Sequence, residues 1–174
     1  QLFGQTAIDE SYYFSRYAHM WGWATWKRAW DLCDLEMQGW PAFRNGNNLC
    51  NLFDKAAERF YWRDLLDYVY AGKIDTWDYQ WVYSIWAQNG LSIVPKCNLV
   101  ANVGFNEQAT HTKSESRYAS LPAEDLSFPM IHPISVYPNY KLDQLECRGR
   151  ERNGFPYPLN RFAKFLKRKL CRDL

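Results

Sequence analysis

Two carboxylates three residues apart, Asp75 and Asp78, stand in the stretch KIDTWDYQWVYSIWAQNGLSIVPKCNLVANVGFNEQATHT, from Lys73 to Thr112. Apolar residues recur there at helical spacing, with Trp77, Trp81 and Ile85 on one line and Val82 with Trp86 beside it. The spacing predicts a broadly buried helix from Trp77 to Gln88 or Asn89, capped by Asp75 or Thr76 and ended by Gly90. Asp78 then falls in the first turn, where backbone N–H groups and the helix dipole favour a carboxylate. The charged form is the one a general base must have, and the same placement also suits a carboxylate that only stabilises a helix start. His111 falls in the loop Phe105 to Thr112, between two threonines. A loop imidazole there can be a metal ligand, or it can be structural or simply exposed.

The second chemical feature is aromatic. Nine Trp and twelve Tyr contribute to an aromatic content of 18%. Such rings pack cores, and they also stack on the C–H faces of sugars while polar edges bond the hydroxyls. In Ala18 to Trp26 the glycine of Trp21-Gly22-Trp23 implies a tight backbone passage. Thr25 then caps an expected helix from Trp26 to Asp34 or Leu35, with Trp26 and Trp30 one turn apart on the same face. This tryptophan cluster reads either as core or as a rigid wall against a ligand.

The elements that must position these residues follow from periodicity and turn chemistry. Ser11 to Tyr17 is dense in β-formers and predicts a strand. Met37 to Asn48, with Gly39, Pro41 and Gly46, reads as a loop. Leu49 to Ala71 carries a helical apolar stripe with a break or bend expected near Ala57–Arg59, a solvated charged face, and Gly72 as its stop. Leu91 to Pro95 reads as a short buried strand, and Asn98 to Val103 as an extended segment. Residues 113–158 are polar and proline-rich, which predicts an arm with little regular structure and at most a short strand at 131–137. The tail Leu159 to Leu170 has the pattern of a basic amphipathic helix, suited to a membrane surface or to docking on protein.

Composition narrows the classes. Hydrophobic residues make up 47% of the 174, enough for a core. A formal net charge of +2 carries no nucleic-acid signature. The five cysteines are scattered and form no CxxC pair, so neither a zinc site nor a disulfide framework is signalled, and a reducing compartment is the simpler expectation. No apolar run is long enough to span a bilayer. The first residue is Gln rather than Met, and a fragment or processed product is expected.

The blocks SYYFSRYAHMWGWATWKRAWD (Ser11 to Asp31) and Lys73 to Thr112 resemble bacterial nucleotide-diphospho-sugar transferases of the GT-A fold, the family-2-like glycosyltransferases. The resemblance covers about residues 11–138. It implies an α/β, Rossmann-like fold of which this chain is the C-terminal, acceptor-side portion, with mixed short strands and several helices. Residues 1–138 would be the acceptor-side catalytic half, and 139–174 a proline-containing arm with a basic amphipathic helix. By the resemblance, Asp78 takes the place of the catalytic base with Asp75 as the alternative. Trp21, Gly22, Trp23 and Trp77 line the substrate pocket, and His111 takes the place of a late metal or diphosphate contact.

The acidic DxD-type motif of the family is absent from this chain. A divalent cation, Mn or Mg, would therefore be bound mostly by an N-terminal half that is missing here. The implied activity is transfer of a sugar from a nucleotide-diphosphate donor to a saccharide or lipid-linked acceptor, inverting and metal-dependent, in surface polysaccharide synthesis. The implied partners are a nucleotide-diphospho-sugar and a glycan acceptor, with peripheral membrane contact through residues 159–172 and no nucleic acid. The implied location is cytoplasmic, at the inner membrane face. The competing expectation is a non-catalytic carbohydrate-binding or partner-docking module.

Overall fold

The computed structural model describes residues 8–101 and 122–152. Among them are β1 (Tyr12–Ser15), α1 (Lys27–Trp30), α2 (Trp40–Asn45), α3 (Asn48–Leu52), α4 (Ala56–Tyr70), α5 (Asp78–Ala87), β2 (Ser92–Pro95) and α6 (Tyr140–Arg152). The class is mixed α/β, as expected, and the described sheet is a two-stranded antiparallel one. The chain divides into two compact units. One comprises residues up to Thr25 with Leu91–Asp143, and the other Trp26–Gly90 with the residues from Gln144 on.

In the first unit, β1 and β2 pair from Tyr12↔Pro95 to Ser15↔Ser92. Side chains alternate along a strand. Tyr13 and Ser15 accordingly point inward, and Tyr13 packs with Val94, Leu142 and Ile8. Two strands alone are marginal in water, and the segment after Pro129 supplies further ties. Ser11 donates its N–H to the Ile131 carbonyl at 2.8 Å. Its hydroxyl oxygen accepts the Ile131 N–H at 2.9 Å. Ser15, fully buried, donates its hydroxyl to Asp143 at 2.6 Å, and the other oxygen of that carboxylate accepts the Arg16 N–H at 3.2 Å. The start of α6 is thereby pinned to β1.

Residues 140–152 form a helix, which corrects the expectation of an irregular arm through 158. The reason is legible after the fact. Asn139 accepts the Leu142 N–H on its side-chain oxygen at 3.2 Å, a helix-capping contact directly after Pro138. Leu142, Asp143, Glu146 and Cys147 then recur on one buried face. The expected strand at 131–137 is absent, and Pro138 makes only a single parallel bridge to Phe14.

The second unit is an aromatic-cored helical assembly. The Trp86 ring of α5 meets the Trp62 ring of α4 edge-on at 4.7 Å and the Phe53 ring at 5.1 Å. Trp40, Phe43 and Tyr83 form a second cluster, with Trp40 edge-on to Tyr83 at 5.8 Å. Pro41 sits in the first turn of α2, where its missing N–H costs nothing, so the region expected to be a loop is helical. Asp67, expected on a solvated face, instead accepts the Trp40 indole N–H at 3.0 Å and pairs with Arg44 at 3.0 Å, tying α2 to α4. Glu58, from the same face, is buried. The break or bend expected near 57–59 is a break, and it lies a few residues earlier, at 53–55.

Helix ends follow local chemistry. α4 stops at Gly72, φ +65°, with Gly72 N–H to Val69 O at 2.9 Å and Lys73 N–H to Tyr68 O at 3.0 Å. This is a Schellman closure. α5 closes the same way, but Asn89, φ +51°, takes the left-handed position and the expected terminator Gly90 follows it. α1 is only four residues long and Trp26, not Thr25, is its N-cap.

Burial raises the Tyr83 phenol above its ordinary 10.0, and the nearby Asp34 charge adds to this. Burial likewise raises the Cys33 thiol above 9.0, opposed by a hydrogen bond from Ser84 and reinforced by Asp34. Both groups hold their protons more tightly folded than unfolded, so their stabilising contribution is complete below those ordinary values and is lost as pH rises through the raised ones. Urea midpoints should therefore fall on the alkaline side from about pH 9 upward. Tyr83→Phe and Cys33→Ala should each flatten that fall in denaturation curves taken across the range.

Candidate functional site at the start of helix 5

After the Gly72 closure the chain turns through residues 73–77 into α5. Lys73 is drawn back over the Tyr68 ring, with Nζ 5.2 Å from its centroid. Asp75 is exposed, with no hydrogen bond or ion pair among the described residues. Thr76 donates its hydroxyl to Oδ1 of Asp78. The same Oδ1 accepts the Tyr79 N–H at 2.9 Å. Oδ2 of Asp78 carries no hydrogen bond among the described residues, and the residue is half-buried. One turn on, Gln80 donates its side-chain N–H to the Thr76 carbonyl at 2.7 Å.

The expectation that Asp75 or Thr76 caps this helix is corrected. The N-cap is Trp77 and no side chain caps it. The helix begins one residue later than the spacing predicts, which places Thr76 outside the cap and turns its hydroxyl to the Asp78 carboxylate.

Tryptophans frame this turn. Trp77 is 45% exposed although its helix is largely buried. One turn on, Trp81 is buried and carries the Trp30 ring against it at 5.2 Å. Trp30 and Trp26 keep exposed faces, 39% and 55%. The Arg28 guanidinium lies 5.0 Å from the Trp26 ring centroid, and Lys27 closes on Asp31 at 2.7 Å. Trp30, held from behind by the buried Trp81, keeps its exposed face at little further entropic cost, since Trp has few rotatable bonds.

Deeper in α5, Ser84 ties the helix to the chain after α1. Its oxygen accepts the Asp34 N–H at 2.9 Å, and its hydroxyl donates to the Gln80 carbonyl at 2.8 Å. The helix that carries Asp78 is thus fixed by packing and by hydrogen bonds.

The structure brings together three of the residues singled out from sequence, Asp75, Trp77 and Asp78. Trp21, Gly22 and Trp23 belong to the other unit. Gly22 has φ +61°, and a Cβ there would lie 2.4 Å from Cγ2 of Val100, so the expected tight passage is real. His111 and the basic tail 159–172 lie outside the described residues. Sequence reasoning missed Thr76 as the partner of Asp78, and Gln80 behind it. A hydroxyl two residues before a carboxylate and an amide two after it were the available signal. Among the described residues no group of three or more His, Cys, Asp and Glu could hold a metal ion, and no helix is long and apolar enough to cross a membrane.

Gly22→Ala should destabilise the protein by about 1–3 kcal/mol, because left-handed backbone and a steric clash act together. Urea denaturation of the purified variant reads this directly.

Comparison with protein-family models, curated proteins and solved structures returns no match.

Proposed function

We propose that this chain supplies the acceptor side of a sugar-transfer site, with Asp78 as the general base. The carrying observation is the state of that carboxylate. One oxygen is held by Thr76 and the Tyr79 N–H, while the other carries no hydrogen bond among the described residues, and the residue just before Asp78 is the exposed Trp77. The likeness of Ser11–Asp31 and Lys73–Thr112 to GT-A glycosyltransferases supports the same reading. A mixed α/β chain with a short antiparallel sheet is compatible with one half of such a fold.

In this reading the acceptor ring stacks on Trp77, and an acceptor hydroxyl gives its proton to Asp78 as its oxygen attacks the anomeric carbon. The C–O bond to the nucleoside diphosphate breaks, and the electron pair leaves with the diphosphate. A divalent cation bound elsewhere in the complete enzyme would neutralise that leaving group. The described residues offer no ligand set for it, so the roles assigned within this chain are stacking, orientation and proton removal. The reaction would extend a surface polysaccharide at the cytoplasmic face of a membrane.

A second reading has its own observation. Trp30 rests on the buried Trp81 and keeps an exposed face, and Trp77, one turn before Trp81 on the same helix, is exposed as well, which suits a carbohydrate-binding surface without catalysis. One substitution separates the two. Asp78→Asn should lower transfer by about 10²–10⁴-fold when the donor-binding half is present, with circular dichroism unchanged. Glycan binding measured calorimetrically should survive it. Full transfer activity in the Asn variant removes Asp78 as the base.

A further inference from the structure

We infer that Thr76 is a positioning residue for Asp78, that Gln80 locks Thr76 in place, and that Oδ2 of Asp78 is the oxygen left to receive a proton. This rests on the base role proposed for Asp78. Both donors to the carboxylate, the Thr76 hydroxyl and the Tyr79 N–H, converge on Oδ1. That bias fixes the side-chain torsion and distinguishes two otherwise equivalent oxygens. Thr76 is itself held at both ends, by its hydroxyl on Asp78 and by its carbonyl, which accepts from Gln80 at 2.7 Å.

Two features argue against plain helix stabilisation. A threonine at a helix start ordinarily accepts a backbone N–H to cap it, whereas here the N-cap residue Trp77 offers no side-chain cap and the first-turn Tyr79 N–H goes to Asp78. The hydroxyl best placed for that work serves the carboxylate instead. The second feature is Gln80. Its Oε1 is buried and finds no donor among the described residues. Rotating the amide by half a turn would set that oxygen against the Thr76 carbonyl, acceptor against acceptor, so the bond to Thr76 dictates the orientation that leaves Oε1 unsatisfied. Buried acceptors without donors are rare in folded proteins and destabilise them. A methionine would fill the same space without that deficit, so the amide's contact with Thr76 comes with a cost in stability that a methionine would not carry.

The test is nuclear magnetic resonance on the full chain, reading the Hα–Hβ couplings of Asp78 and the thermal midpoint. The wild type should show one Asp78 rotamer. Thr76→Val should average the couplings, and Thr76→Ser, which keeps the hydroxyl, should restore them. Gln80→Met should loosen Asp78 while leaving Tm unchanged or higher, because it removes the undonated acceptor along with the hydrogen bond. A single rotamer retained in Thr76→Val overturns the inference. So does Gln80→Met lowering Tm with Asp78 unchanged, since that is the mark of an ordinary structural bond. Activity assays keep this separate from the base role. Loss of kcat at constant KM in Thr76→Val supports the positioning, whereas full transfer by Asp78→Asn overturns the base on which it rests, whatever the rotamers show.

Discussion

The packing of Trp86 against Trp62 and Phe53 is the contact on which the helical unit depends. One indole edge-on to another at 4.7 Å, with a phenyl ring at 5.1 Å, joins α5 to α4 and to the residue that ends α3. Such aromatic pairs contribute about 0.5–1.5 kcal/mol each beyond their buried area. They also fix rotation about the helix axis. Five residues earlier on α5, Trp81 is buried under Trp30, and one turn before Trp81 the chain exposes Trp77. The rotation that buries Trp86 and Trp81 therefore determines which way the first turn faces. The placement of Asp78 is a consequence of core packing, and the hydrogen bonds of Thr76 and Gln80 refine it.

The two units use polar burial differently. In the strand-containing unit, Asp143 reaches β1 through the Ser15 hydroxyl and the Arg16 N–H, so a buried carboxylate is satisfied by neutral donors as well as its other contacts. In the helical unit the polar groups inside α5 serve registration. Ser84 bridges Asp34 and Gln80, and Gln80 passes the constraint on to Thr76. Side-chain hydrogen bonds thus step back along α5 from Ser84 to Gln80 to Thr76, four residues at a time, and a last bond from Thr76 ends at the Asp78 carboxylate two residues on.

Much of this was legible in the sequence wherever periodicity was strong. The α4 stripe and its Gly72 stop, the α5 pattern of Trp81, Val82 and Trp86, and the strands near Tyr13 and Val94 follow from spacing and turn chemistry alone. The misses have physical causes. α2 hid behind Gly39, Pro41 and Gly46, because proline in a first helical turn reads the same as proline in a loop. α6 hid because its buried face carries Asp143 and Glu146 between Leu142 and Cys147, a polar pattern that hydrophobic periodicity cannot register. Asn89 took the left-handed position assigned to Gly90, since Asn shares that tolerance. At the site, the carboxylate was visible from its position, but its partners were not. Which oxygen Thr76 occupies depends on the helix starting one residue late, and boundaries at that scale are set by packing.

We propose that the exposed Trp77 and the Asp78 carboxylate at the start of α5 form one saccharide-facing surface, with Trp30 alongside. Saturation-transfer difference spectroscopy on the full chain, with neutral tetrasaccharides of glucose and of N-acetylglucosamine as probes, tests it most directly when paired with indole N–H shift mapping. The expected result is transfer to sugar ring C–H protons, with shifts confined to Trp77, Trp30 and the backbone around Asp78. No transfer from either probe, or shifts that leave α5 untouched, would contradict it.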